Sequence, residues 1–239
     1  MPNHRVLLVL VVACMWTRLA FAQESASNRP PQSTTVAGQL SFPDPRLRRL
    51  HGLYVRGGLG FGGMGNNVIA TEKDEGEERS EGTVTGMAMT SELSIGGTVG
   101  ENLVLGGGIY STYVFASNYT QISGDAIPRG LQRPESLTLV GLMADWRFAP
   151  QLGLHVQGAV GVAGLSSQVI RDGELDGSTL AFGPGLTLGI GADFWLDPNW
   201  AVGAMARFTA AVALEKEDGE HYVHGLVCPA VLLTVAYNE

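Results

Sequence analysis

Residues 186–194 read Leu186-Thr187-Leu188-Gly189-Ile190-Gly191-Ala192-Asp193-Phe194, and beyond Asp197-Pro198-Asn199 the chain continues Val202-Gly203-Ala204-Met205-Ala206-Arg207-Phe208-Thr209. In the first stretch Leu186, Leu188, Ile190, Ala192 and Phe194 form one row, and Thr187, Gly189, Gly191 and Asp193 the other. In the second, Val202, Ala204, Ala206 and Phe208 oppose Gly203, Arg207 and Thr209. Alternation with period two marks a strand whose two faces meet different surroundings. Asp-Pro-Asn between them is turn chemistry, so the stretch predicts an antiparallel hairpin.

The same pattern recurs along the chain. Leu53, Val55, Gly57, Leu59 and Phe61 alternate with Tyr54, Arg56, Gly58 and Gly60. Leu93, Ile95 and Val99 alternate with Glu92, Ser94, Gly96 and Thr98, and Gly100-Glu101-Asn102 turns into Leu103, Leu105 and Ile109 against Gly106, Gly108, Tyr110 and Thr112. Val140, Leu142, Ala144, Trp146 and Phe148 oppose Gly141, Asp145 and Arg147. After Ala149-Pro150-Gln151, Leu154, Val156, Val160 and Val162 oppose His155, Gln157, Ala159 and Gly161. A last strand over about 223–237 carries Val231, Leu233, Val235 and Tyr237. Eight strands result, joined by three short turns and by long connections at about 62–83, 116–136, 166–178 and 213–222. Strict alternation of short and long predicts an up-and-down meander.

Which row faces water decides the class. A wet exterior carries mixed charge, rich in lysine and glutamate. Here the only lysines are Lys73 and Lys216, and the polar row is mostly small residues with six charges: Arg56, Glu92, Asp145, Arg147, Asp193 and Arg207. Three cations and three anions at one parity predict a paired internal network, because an unpaired charge inside a barrel costs several kcal/mol. The other row is aliphatic with aromatics toward strand ends, Phe61, Trp146, Phe148, Phe194, Trp200, Phe208 and Tyr237 among them. Such aromatics are expected at membrane interfaces. A sheet in lipid cannot leave an open edge, so it must close. The predicted class is all-β: an eight-stranded antiparallel transmembrane barrel over residues 51–239, with glycines fitting its narrow inside.

Ahead of it, Met1–Arg5 is a basic start, Val6–Trp16 an apolar core and Ala20-Phe21-Ala22 a cleavage signature, which predicts a secretory signal peptide over residues 1–22. Val11-Val12-Ala13-Cys14 also resembles a lipoprotein box, with Cys14 as the acylated residue; the apolar run beyond Cys14 favours cleavage after Ala22. Residues 23–50, rich in Ser, Pro, Thr, Asn and Gln, predict a disordered periplasmic linker. Removing residues 1–22 would leave Cys228 as the one thiol.

The leader, the eight strands, the tight Gly-Glu-Asn and Asp-Pro-Asn turns and Tyr237 near the end resemble the small outer-membrane barrels of the OmpA, OmpX and OmpW type, over roughly residues 51–237. That resemblance implies integral residence in a Gram-negative outer membrane, contact with membrane lipid and lipopolysaccharide, and recognition of a terminal aromatic by the barrel-assembly machinery. Here Asn238 and Glu239 follow Tyr237. It implies a structural or surface-interaction role, and the equal and opposite internal charges are expected to close the lumen. Passage of small or hydrophobic molecules, as a narrow channel or through a lateral opening, stays open as the alternative, and a lipid-modifying enzyme as a third.

Other motifs carry less. Gly58-Leu59-Gly60-Phe61-Gly62-Gly63 fits G-x-G-x-x-G, but no helix follows to receive a phosphate. His221 and His224, near Glu215, Glu217, Asp218 and Glu220, lack a spacing that enforces a metal site. Asp172-Gly173-Glu174-Leu175-Asp176-Gly177 reads as a polar turn, and the acidic run Glu72–Glu81 as a hydrated loop able to hold divalent cations against lipopolysaccharide. Neither His155 nor His221 has a serine two residues away, so no triad is visible. A formal charge of −8 with no basic stripe does not suit nucleic acid. No cofactor, metal or catalytic residue is expected, and nothing specifies an oligomeric state.

Overall fold

A computed structural model of the chain describes residues 52–71, 79–123, 135–171, 174–217 and 220–239. The leader, Cys14, the linker and most of the acidic run lie outside these residues. Eight strands follow in order: β1 (Leu53–Thr71), β2 (Arg79–Thr98), β3 (Leu103–Ser123), β4 (Glu135–Ala149), β5 (Leu154–Arg171), β6 (Glu174–Trp195), β7 (Trp200–Glu217) and β8 (Glu220–Asn238). Each is antiparallel to the next, and β8 returns to β1, from Tyr54↔Asn238 to Thr71↔His221, to close the barrel.

The short turns are built locally. Asp197 accepts hydrogen bonds at Oδ1 from the backbone N–H groups of Asn199 and Trp200, at 2.7 and 2.8 Å. Pro150–Leu152 forms one 3-10 turn ended by Gly153 at φ 70°, whose carbonyl accepts from Asp193 N. A side chain there would be strained by that φ and would strike the Asp193 carbonyl oxygen.

The outward row is apolar and exposed: Leu59, Leu142, Val160 and Leu233 each present more than three fifths of their surface. An exposed apolar belt of this extent belongs in hydrocarbon, where closure supplies every strand with backbone partners. The chain is a small eight-stranded transmembrane β-barrel, crossing the bilayer with strands.

The strands run well past the boundaries expected from sequence. What was expected as four long connections is largely paired backbone, leaving 72–78, 124–134, 172–173 and 218–219 between strands. Glu174 to Gly177, expected in a turn, opens β6, with Gly177 opposite Val169. The reason is that a strand leaving the bilayer keeps its ladder but no longer needs an apolar outer row. On β1, β2, β4 and β5 that row passes to Asn67, Thr83, Thr85, Ser136, Thr138 and Ser166, while the inner row stays largely apolar with Met64, Val84, Leu137 and Leu165. In β6, Pro184 and its flanking glycines look like a breaker. Pro184 in fact pairs with Val162 of β5 and interrupts only the ladder to β7, the position a residue without an N–H tolerates.

Glycine sets the cross-section where neighbouring backbones crowd. Gly141 of β4 faces Gly161 of β5; a Cβ on Gly141 would stand 2.1 Å from the Val160 carbonyl oxygen, and one on Gly161 2.0 Å from that of Val140. Gly57, on the outer wall, has open space beside it. Gly141→Val is therefore expected to lower stability by about 3 kcal/mol and Gly57→Ala by far less, read as urea midpoints in lipid vesicles by the heat-modifiable gel shift. Leu142→Arg on the lipid face should cost about 2 kcal/mol and Ser136→Arg, near the far end of β4, under about 1 kcal/mol, by the same measurement.

Candidate functional site

The inward rows gather most of the polar chemistry of the described residues. Nearest the short turns, Arg56 of β1 reaches across the lumen between Asp145 of β4 and Asp193 of β6. Its Nη1 lies 3.0 Å from Asp145 Oδ2 and its Nη2 2.8 Å from Asp193 Oδ2. Arg147 adds a 3.4 Å contact to the same Asp193 oxygen and lays its guanidinium 4.8 Å from the Trp195 ring centre. Tyr54 donates its hydroxyl to Asp145 Oδ2 at 3.0 Å. His155 of β5 completes the group, Nδ1 at 3.3 Å from Asp145 Oδ1 and Nε2 at 3.6 Å from Asp193 Oδ1. The two Arg56 Nη atoms approach the same ring nitrogens at 3.3 and 3.2 Å. Arg56, Asp145 and His155 are wholly buried.

Farther up, Arg207 of β7 bonds Glu92 Oε2 of β2 at 3.2 Å, the Ser91 carbonyl at 3.4 Å and the Thr90 hydroxyl. Its guanidinium lies 5.7 Å from the Tyr110 ring centre. The six charges expected to pair thus fall into two groups, Arg56 and Arg147 with Asp145 and Asp193, and Arg207 with Glu92. A buried arginine between two carboxylates is held by charge and by the fork of its donors, and each partner left alone would be costly.

Above these charges lies an apolar layer of Met64, Val114, Leu137, Leu165, Leu226 and Cys228 with the alanines of β2, β5, β6 and β7. One inward position farther along five strands, the row turns polar again: Asn66 follows Met64, Glu135 lies beyond Leu137, Ser167 follows Leu165, Glu215 follows Ala213 and His224 lies beyond Leu226. Asn66 Nδ2 lies 3.4 Å from Glu135 Oε2 and 3.3 Å from His224 Nδ1, and His224 Nε2 lies 3.2 Å from Glu215 Oε2. A neutral His224 with its proton on Nε2 satisfies every contact, Asn66 donating twice and His224 donating to Glu215.

Sequence parity placed Tyr54 and His155 on the same inward rows as the six charges, but neither was expected to join their network. The polar ring beyond the apolar layer was missed because Asn66, Glu135, Ser167 and Glu215 fell in stretches taken for connections. His221, at the end of an expected connection, lies in β8 together with His224. Their odd spacing puts them on opposite faces, so His221 is exposed while His224 is buried.

The outward aromatics expected at the interfaces stand at two heights, while Tyr113, Phe115 and Phe182, also exposed, lie farther along β3 and β6. Trp146, Phe148, Phe194, Trp200 and Tyr237 cluster near the short turns, with Trp200 and Tyr237 ring centres 5.1 Å apart and those of Trp146 and Phe148 6.0 Å apart. Phe61 and Phe208 stand eight residues into their strands, about 20 Å farther up a wall of tilted strands. Both border an apolar groove on the outside of the barrel, lined also by Gly63, Leu188, Pro229 and Val231. At this groove Gly63 and Met64 make no register pair with β8, and Pro229 pairs only with Phe208 of β7.

No family model matches the sequence. No curated protein matches it either. Solved structures do resemble the fold. Surface protein A of Neisseria is similar at 12% identity over 80% of this chain and 100% of its own, with a TM-score of 0.47. The outer membrane protein OprG of Pseudomonas aeruginosa is similar at 12% identity over 80% and 97%, with a TM-score of 0.44. The outer membrane protease OmpT of Escherichia coli is similar at 9% identity over 78% and 97%, with a TM-score of 0.37.

Removing one member of a buried pair leaves the other uncompensated, so the two losses should not add in full. Arg207→Met and Glu92→Gln are each expected to lose about 3 kcal/mol. The double variant should lose at least about 1 kcal/mol less than their sum, by urea unfolding in vesicles.

Proposed function

We propose that the protein is a non-conducting outer-membrane barrel with a structural or surface-interaction role, its working surface lying at the end away from the short turns. One observation carries this: the inside is filled twice over, by the Arg56–Asp145–Asp193 group with Arg147 and His155, and by the apolar layer around Met64, Leu137 and Leu226. An ion crossing would have to break a buried charge group and then shed its water against side chains that offer nothing in return. The aromatics near the short turns and those from Phe61 and Phe208 onward are read as girdles at the two faces of the bilayer, the nearest of them about 20 Å apart against an apolar band of roughly 25 Å. The extended strands then carry polar hairpins beyond the far girdle, where they can meet lipopolysaccharide or another surface. Barrel-assembly machinery is the expected partner in biogenesis, through the C-terminal strand that bears Tyr237.

The groove beside Gly63 and Pro229, where the β1–β8 ladder is interrupted, favours lateral movement of apolar molecules as the second reading. No catalytic role is assigned. Planar-bilayer recording of the refolded protein is expected to give no steady conductance, and Arg56→Ala combined with Leu226→Ala should leak measurably. A wide, constitutively open pore in the unaltered protein would refute the closed-lumen reading. Uptake of an apolar fluorophore into proteoliposomes without conductance would favour the lateral one.

A further inference from the structure

We infer that a trough on the outer wall, running beside Gly63 and Gly65, holds one acyl chain of an amphiphile whose uncharged, hydroxyl-bearing head lies at Thr85 and Asn118. The inference goes beyond the closed-lumen role and does not depend on it. It shares its lower half with the groove of the lateral reading but needs no transport.

The groove between Phe61, Leu188, Phe208 and Val231 does not end at the height of its aromatics. A second hollow continues it, lined by Gly65, Thr85, Met87, Asn118 and Val227, and the two share Gly63 and Pro229. The floor lacks side chains for a reason other than crowding. At Gly141 and Gly161 a Cβ would stand 2.1 and 2.0 Å from a carbonyl oxygen, so the barrel itself requires glycine there. A Cβ on Gly63 would come no nearer than 3.5 Å, to the Gly86 carbonyl oxygen, and one on Gly65 3.3 Å, to Val227 Cγ2. Closure makes no such demand at these two positions, and a strand glycine without it leaves room for something else to approach the backbone. The ladder also parts here: Gly63 and Met64 have no register pair with β8, where Pro229 supplies no N–H.

What fills the trough follows from where it runs. Its lower half lies among Phe61, Leu188, Ile190 and Val231, exposed members of the apolar belt. A hollow in a wall that faces hydrocarbon is filled by hydrocarbon, and a chain lying in it touches floor and flanks where a chain on a convex wall touches one side. The lining changes in the upper half. Thr85 of β2 and Asn118 of β3 stand opposite each other in register, both exposed, where the outer row of β2 turns polar. A hydroxyl and an amide donate and accept without carrying charge. Arg207, the charged residue along the trough, turns its guanidinium into the lumen toward Glu92. A phosphate head would therefore meet no cation, whereas a sugar-like head would meet donors and acceptors of its own kind. Apolar walls with a few placed polar groups at one end are what hold and orient a small ligand.

The test is native mass spectrometry of the refolded full chain from micelles of tetraethylene glycol monooctyl ether, with dodecyl maltoside added at low mole fraction. One retained dodecyl maltoside per chain is expected. Gly63→Leu, which fills the trough, should lower its affinity at least about 10-fold, and Thr85→Val, which keeps the shape and loses the hydroxyl, about 3-fold. Gly57→Leu, on the same outward row of β1 but with open space beside it and outside the trough, should leave retention unchanged. Heat-modifiable migration checks that each variant has folded, and Val227→Phe, which narrows the upper half, carries the test if Gly63→Leu does not fold. No retained amphiphile, or several per chain in equal number on wild type and the filled variant, would overturn the proposal. Retention of anionic dimyristoyl phosphatidylglycerol in preference to dodecyl maltoside, lost in Gly63→Leu, would overturn the assignment of an uncharged head.

Discussion

Backbone groups have no water to bond in hydrocarbon, and everything else in this molecule follows from that. A sheet that spans the bilayer has to close, so β8 must meet β1 in register along most of its length. Closure at eight strands fixes a narrow interior. Within the bilayer the outer row is then free to be largely apolar, and the inner row carries most of the polar groups there.

A narrow interior makes strong demands on those groups. Arg56 cannot be hydrated once it points inward, so it is clasped by Asp145 and Asp193, with Arg147, Tyr54 and His155 packed around the same two carboxylates. Arg207 solves the same problem with Glu92 and Thr90. Where two backbones approach closely, as at Gly141 and Gly161, even a methyl group is too large. Polar and small residues are thus two answers to one lack of space.

How far this was legible in sequence depended on whether the outer row stayed apolar. Within the bilayer, period-two alternation identified eight strands, three short turns and the parity of all six buried charges. Beyond it, β1 trades Phe61 for Asn67 and β4 trades Val140 for Ser136, and the alternation that signals a lipid-facing strand fades although pairing continues. Asn66, Glu135 and Glu215 were lost to view for that reason, since residues assigned to loops have no parity to read. His155 was visible at inward parity but drew attention only as a catalytic candidate. Nothing in one strand announces which residue of another it will face across the lumen, so Arg56 could be paired by charge but not by partner.

The seam between β1 and β8 has a consequence for the order of events. Tyr54 pairs with Asn238, bringing together nearly the two ends of the described chain, and contacts so distant in sequence form late because the intervening loop entropy must be overcome first. Half a barrel has an exposed edge and no stable place in lipid. The protein therefore cannot insert strand by strand as it emerges. Its strands have to commit to the bilayer together, once the last of them can meet the first.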